Sequence, residues 1–270
     1  MPESKCIIKL NNGINIPQLG FGTWQITGKE CENAVKWALE AGYRHIDTAK
    51  IYGNETEVGK SIKNFGIKRE EIFITTKLWN SDRDNVERAF ETSLRNLGVP
   101  YIDLYLMHYP VPERNQSWKS MEKLLKSGKC KSIGVSNFTI RHLKSLIGKS
   151  DIVPVVNQVE FTPLLYQKEL LDFCAKNKII VESYSPLTHG QKLNDPRFTR
   201  ISSKYKKSNA KLLIKWCLQH GLVAIPKSRR KEKILENFDV FDFEISKEDM
   251  KFLDSMNEDL RFCWDPTNAP

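Results

Sequence analysis

Gly42-Tyr43-Arg44-His45-Ile46-Asp47-Thr48-Ala49-Lys50-Ile51-Tyr52-Gly53-Asn54-Glu55 decides how this chain reads. The stretch follows good helix formers from Ala34 to Ala41, and Gly42 fits the C-terminal cap of a helix. Residues 43–46 suit a short buried strand that ends in a carboxylate, Asp47, with Tyr52 on the loop after it. Two later apolar runs end in the same manner. Lys77 closes Ile72-Phe73-Ile74-Thr75-Thr76, and His108 follows Ile102-Asp103-Leu104-Tyr105-Leu106-Met107. Ionisable groups at the ends of successive apolar strands predict a barrel with its chemistry at one mouth.

Working outward, the pattern alternates along the chain. Strands are expected over 19–24, 43–46, 72–77, 101–107, 132–135, 153–159, 179–182 and 223–225. Helices are expected over 30–41, 55–65, 84–97, 117–127, 140–147, 167–177, 209–220 and 231–238. Val86, Phe90, Leu94 and Leu97 fall near one face of the third helix. Before the alternation, 6–9 and 14–16 flank Asn11-Asn12-Gly13, a hairpin signal. After it come a further helix over 247–256 and a tail over 257–270 that carries Phe262 and Trp264. Eight strand–helix units predict a (β/α)8 TIM barrel with an N-terminal β-hairpin, a C-terminal extra helix and a tail. The rival, an open doubly wound sheet, would carry a G-x-G-x-x-G turn leading into a helix. Leu19-Gly20-Phe21-Gly22-Thr23-Trp24 only partly imitates that turn, and no helix starts directly after it.

Bulk properties narrow the function. The 270 residues suit one domain over 1–270, since such barrels run to about 250 residues as a unit. No linker or low-complexity segment divides them. No apolar run is long enough for a membrane span, and none follows the N-terminal charges as in a signal peptide. The six cysteines, Cys6, Cys31, Cys130, Cys174, Cys217 and Cys263, are scattered with no C-x-x-C pair. That predicts reduced thiols, a cytoplasmic setting and no metal site. The net charge of +9 raises the question of nucleic acid, but the charges are spread through helical stretches without a nucleic-acid motif. No nucleic-acid or membrane partner is expected, and a monomer is the expected state.

In order and spacing, the quoted stretches resemble the aldo-keto reductases. G-Y-R-H-I-D-T-A-x-x-Y-x-N-E looks like that family's signature. Further matching blocks are Thr76-Lys77-Leu78-Trp79, Leu106-Met107-His108-Tyr109-Pro110, Gly134-Val135-Ser136-Asn137-Phe138, Asn157-Gln158-Val159-Glu160 and Ile225-Pro226-Lys227-Ser228. The resemblance covers nearly the whole chain. It implies a reductase of small-molecule aldehydes and ketones in which hydride passes from NADPH to the carbonyl carbon, with NADH the less favoured donor. It implies Tyr52 as general acid, with Lys77, Asp47 and His108 completing the set. A free tyrosine, with a pKa of about 10, is a poor acid at neutral pH, and a lysine cation within reach lowers that value. Asp47 would keep Lys77 protonated, and His108 would orient the carbonyl oxygen. The hairpin is expected to plug the far end of the barrel and the tail to cover its mouth.

The resemblance also assigns the cofactor site. Ser136, Asn137 and Gln158 would hold the nicotinamide carboxamide, and Tyr184, leading Ser185-Pro186-Leu187, would stack on the ring. Gly22, Thr23, Trp24 and Asp47 would flank it. After the last strand, Ile225, Pro226, Lys227, Ser228 and Arg229 form a basic loop that meets a helix N-terminus, which suits a phosphate. Lys227, Ser228 and Arg229 would hold the 2′-phosphate, while Lys233, Glu236 and Asn237 would meet the adenine. Lys233 departs from the family, where an arginine usually packs on adenine, and lysine lacks that planar surface. Tyr109 stands where tryptophan is common. Trp24, Trp79, His108, Tyr109 and Trp264 are the expected substrate walls. Short loops over 111–116 and 188–194 predict an open mouth.

Each of these residues has an ordinary reading when taken alone. Tyr52 suits packing, Asp47 a loop cap, Lys77 solvent, His108 a satisfied structural role, the polar trio loop capping and the basic loop a solvated charge run. Two other functions use the same residues. One is a Schiff-base aldolase built on Lys77, and the other is a cofactor-binding regulatory module with little turnover.

Overall fold

The computed structural model describes residues 7–270. Cys6, expected in the hairpin, lies outside the described residues. The hairpin itself is formed by β1 (Ile7–Lys9) and antiparallel β2 (Asn15–Pro17). Asn12 Nδ2 bonds Ser132 Oγ at 3.0 Å, and Asn11 Nδ2 bonds Pro154 O at 3.1 Å, which ties the turn to the N-terminal end of the barrel.

The barrel strands are β3 (Phe21–Gly22), β4 (His45–Asp47), β5 (Phe73–Leu78), β6 (Leu104–Met107), β7 (Ile133–Ser136), β8 (Val156–Glu160), β9 (Ile180–Tyr184) and β10 (Val223–Ile225). All neighbouring pairs are parallel, in the order β10-β9-β8-β7-β6-β5-β4-β3. The ring closes through a parallel bridge between Leu19 and Ala224, and Gly20 N donates to Ala224 O at 2.9 Å. Every residue of β5 is buried, as expected for a strand covered on both faces.

Two cores result. Inside the barrel, Phe73, Leu104, Leu106, Val156 and Val223 pack with Leu10 and Ile16 of the hairpin, which plugs that end. Outside, the helices cover the sheet. They are α1 (Gly28–Ala41), α2 (Glu55–Phe65), α3 (Val86–Leu97), α4 (Arg114–Lys126), α5 (Ile140–Ile147), α6 (Lys168–Lys176), α7 (Pro196–Lys204), α8 (Asn209–Gln219), α9 (Lys231–Phe238) and α10 (Lys247–Asp254). On α3, Val86, Ala89, Phe90, Leu94 and Leu97 are buried at helical spacing. Gly42 ends α1 in the left-handed region, at φ 113°, with its N–H on Ala38 O and Leu39 O. No described helix is long and apolar enough to cross a membrane.

Two expectations are corrected. The first barrel strand is only Phe21–Gly22: Gly20 before it bonds Ala224 of β10, Gly22 bonds Pro226 O beyond β10, and Thr23 after it turns both its N–H and its hydroxyl onto Asp47 O. The loop after β9 is not short. It holds a turn over Thr188–Gly190 and then the helix α7, absent from the sequence reading. Asp195 caps α7 by accepting Arg197 N at 2.9 Å, and Pro196 takes its first position.

Candidate active site

Strand polarity fixes where the chemistry gathers. Asp47 ends β4, Lys77 lies near the end of β5, His108 follows β6, Ser136 ends β7 and Tyr184 ends β9. All point to the C-terminal mouth, where a cavity of about 840 Å³ opens.

Lys77 is fully buried and does not line the cavity itself, but it bonds two residues that do, Asp47 and Tyr52. Its Nζ donates to both oxygens of Asp47 at 2.7 and 2.9 Å and to Thr48 O at 2.9 Å. Tyr52 Oη is 3.4 Å from the same amine. Gln158 Nε2 donates to Asp47 Oδ2 at 2.8 Å. Burial raises the Asp47 carboxyl while Lys77 and Gln158 pull it back. The pair is costly to desolvate and depends on all of these partners being present.

The phenol differs from the expectation. Burial holds the Tyr52 hydroxyl well above its ordinary pKa, and the charge of Asp47 adds to this. Lys77 sits closer to Asp47, in bidentate contact, than to the phenol, which leaves less of its charge to offset burial at Tyr52. Tyr52 therefore keeps its proton throughout the neutral range. His108 is driven the other way. Burial, then the Lys77 charge, lower it well below the ordinary histidine value, so its ring is neutral. That ring meets Tyr52 edge-on at 5.8 Å and Trp79 at 5.3 Å, and it stacks on Tyr109 at 4.9 Å. Its Nδ1 has no hydrogen-bond partner among the described residues.

The polar trio is knitted into the wall beside Asp47. Ser136 Oγ donates to Gln158 O at 2.8 Å, and Asn137 Nδ2 donates to His108 O at 3.0 Å. Tyr184 Oη donates to Asn137 Oδ1 at 2.7 Å. Asn137, Ser185, Thr188, His189 and Gln25 all hold positive φ, so strained backbone clusters around the cavity.

Of the residues expected at the cofactor, Gly22, Trp24, Asp47, Ser136, Asn137, Gln158, Tyr184, Ser185, Pro186, Leu187, Ile225, Lys227, Ser228, Arg229, Lys233 and Asn237 line the cavity. Thr23, Pro226 and Glu236 do not. Thr23 is turned into the fold, with its hydroxyl on Asp47 O at 2.9 Å, and Pro226 O accepts Gly22 N. Glu236 pairs with Lys233 at 2.6 Å. Lys227 is half-buried with no anion in ion-pair range among the described residues, and burial together with Arg229 lowers its pKa. A half-buried cation whose charge is unmatched suits an anion such as a phosphate. At Gly22 an added Cβ would come within 2.9 Å of Ile225 O, so only glycine leaves the backbone open beside that loop.

All five expected substrate walls meet at the mouth. Tyr109 touches Trp79 edge-on at 5.9 Å and Trp264 at 5.0 Å. Trp24 packs on His189 at 5.4 Å. His189 and Cys263, which the sequence reading did not assign to the site, also line the cavity, as does Phe262, one of the two tail aromatics expected over the mouth. The mouth is therefore partly roofed by the tail and by the loop after β9. The tail is held there by Glu160, whose carboxylate accepts Phe262 N at 2.8 Å and Cys263 N at 3.1 Å.

Comparison with known proteins agrees with this geometry. The chain is 48% identical over 266 residues to a glyoxal reductase of Bacillus subtilis (strain 168), covering 97% of this chain and 96% of that protein. It is 46% identical over 265 residues to a methylglyoxal reductase of Escherichia coli (strain K12), covering 96% of each. A solved aldo-keto reductase of Bombyx mori in complex with NADP superposes with a TM-score of 0.90 at 38% identity, over 98% of this chain and 97% of that one. The sequence pattern of the Aldo/keto reductase family matches residues 18–258. A parallel barrel whose strand ends gather Asp47, Tyr52, Lys77 and His108, and which matches that pattern over most of its length, belongs to the aldo/keto reductase family.

Proposed function

We propose that this protein is a monomeric cytoplasmic reductase that uses NADPH to reduce small aldehydes and ketones, 1,2-dicarbonyls among them. The observation that carries the reading is the single buried amine of Lys77 set between Asp47 and Tyr52, which line a cavity walled by His108 and aromatic rings. Glyoxal and methylglyoxal reductases among the relatives support the dicarbonyl class. The free state of the described cysteines fits a reducing compartment.

Bound NADPH supplies the hydride. The protein's own side chains do the rest. Lys227, Ser228 and Arg229 receive the 2′-phosphate, and the half-buried Lys227 favours NADPH over NADH. Lys233, already paired with Glu236, contributes charge rather than a stacking surface at the adenine. Ser136, Asn137 and Gln158, which line the cavity, would hold the carboxamide, and Tyr184 would stack on the ring. Neutral His108 points the carbonyl oxygen at Tyr52 as an uncharged donor. Tyr52 then gives its proton to the developing alkoxide, a stronger base than a phenolate even when the phenol's pKa is raised. The phenolate left behind faces Lys77 at 3.4 Å. The aromatic walls keep water away and strengthen each of these interactions.

The competing uses of Lys77 fit less well. A Schiff base needs a neutral amine with a free lone pair. Lys77 instead donates to three oxygens, two of them anionic. The regulatory reading leaves the convergence of four ionisable groups on one cavity without a purpose. Cofactor oxidation against a panel of aldehydes, ketones and dicarbonyls, run with NADPH and with NADH, tests the proposal. Turnover with small carbonyls and a preference for NADPH are expected. No turnover with any of them, or trapping of substrate on Lys77 by borohydride, contradicts it.

A further inference from the structure

Beneath the Asp47–Lys77 pair, the barrel carries a second layer of ionisable groups that the reaction just described does not use. Glu182 sits in β9, in register with Gln158 of β8 and Val223 of β10. Strand alternation puts it on the same side as Tyr184, facing into the barrel. By the same alternation His45 lies below Asp47 on β4. His45 Nε2 is 2.9 Å from Thr75 Oγ1 of β5 and 3.7 Å from Glu182 Oε1. Both side chains are fully buried. Neither carboxyl oxygen of Glu182, nor His45 Nδ1, has a hydrogen-bond partner among the described residues. Gly20 makes room for the ring, since a Cβ there would come within 2.5 Å of His45 Nδ1.

An ionised Glu182 would be a buried charge with no cation of its own. Lys77 already serves both oxygens of Asp47. Burial, then the Lys77 charge, lower His45 to about 3, so its ring is neutral. The Gln158 amide donates to Asp47, Thr75 is uncharged, and Val223 and the ring of Tyr184 offer no charge. We propose that Glu182 is a positioning residue of the reductase site: a proton-bearing carboxyl whose charge state, acting through the Asp47–Lys77 pair, sets how readily Tyr52 gives up its proton. This inference rests on the reductase reading. Burial, then the negative charge of Asp47, raise the Glu182 carboxyl to about 8, against the pull of Lys77. An ionised Glu182 is also among the negative groups that hold the proton on Tyr52. Above that pH a second buried negative charge competes for Lys77. Carbonyl reduction then falls on the alkaline side before Tyr52 itself titrates.

The test compares the parent with Glu182→Gln, near-isosteric and neutral at every pH. Glu182→Met, also neutral and of similar length, repeats the comparison in case the glutamine amide disturbs folding. Without cofactor, thermal unfolding is followed against pH. The parent should lose Tm relative to both variants as pH rises from 4.5 to about 8, because its folded state alone holds the Glu182 proton over that range. With NADPH and a small aldehyde, kcat of the parent should decline above about pH 8, and that decline should be absent in the variants whatever their absolute rates. A Tm difference that does not change with pH overturns the claim that Glu182 carries a proton. A pH-dependent Tm difference with an unchanged alkaline limb makes Glu182 a structural acid only, which also overturns the proposal. A folded parent that reduces no carbonyl at all refutes the reductase reading, and this inference with it. That outcome is seen in the parent alone, whereas failure of the inference by itself is seen only in the difference between parent and variants.

Discussion

At the scale of single residues, the account turns on one ammonium group asked to serve two partners. Lys77 is fully buried, and its nearest partner is Asp47 rather than Tyr52. Asp47→Asn would leave the amine without its counter-charge, and breaking a buried pair from one side costs about 3–5 kcal/mol. Urea denaturation should show a loss of that size at unchanged m-value, and a loss under about 1 kcal/mol would mean the pair is already well hydrated. The positions of Asp47, Tyr52, Lys77 and His108 were legible in the sequence because each stands at a fixed place relative to a strand end. The proton affinity of Tyr52 was not. It depends on burial and on which group Lys77 contacts first, and neither is written in the spacing. Glu182 went unread for a related reason: it faces His45 only after the barrel has closed.

At the scale of elements, the tail is where sequence and structure add to one another. The family resemblance implied that it covers the mouth, but nothing in the chain pointed to Glu160 as its anchor. That carboxylate is buried at the end of β8 and receives two tail amides, while Arg114 Nη1 binds Pro270 O at 2.9 Å further along. Glu160→Ala should free the segment bearing Phe262, Cys263 and Trp264. Steady-state kinetics should show KM for the carbonyl rising several-fold, with a smaller change in kcat, the pattern expected of a wall that holds substrate and takes no part in proton transfer. An unchanged KM would mean the tail does not contact the substrate. The helix α7 was missed although its cap was present in Asp195-Pro196. Phe198 and Ile201 are its only buried apolar residues, too few to stand out as a helical stripe in a polar stretch.

For the whole molecule, eight strand–helix units were readable because each apolar run is bounded by helix caps or turn residues. Strand length at the closure was not, since Leu19 and Gly20 meet Ala224 of β10 only once the ring has closed. Closing the ring buries His45 and His108 as neutral imidazoles, and this sets an acid limit on stability. The unfolded chain takes up these protons near the ordinary histidine value while the folded chain does not, so stability is lost as pH falls through that window. Glu182 and Asp47, with raised values, act in the opposite sense at higher pH. The net fall should therefore be steepest below about 3.8, where neither carboxyl any longer opposes it, and for His45 it continues to about 3 at up to ~1.4 kcal/mol per pH unit, with His108 adding in the same sense. Thermal unfolding across that range checks this, and a flat Tm would mean the two rings are hydrated and protonated in the fold.

The most direct measurement is single-turnover oxidation of bound NADPH by a small aldehyde in the parent and in Tyr52→Phe. The account predicts that the variant binds NADPH as tightly as the parent and reduces the aldehyde about 10²–10⁴-fold more slowly, the contribution expected of a positioned acid. A Phe variant that turns over at close to the parental rate would show that the proton comes from elsewhere and would contradict the account.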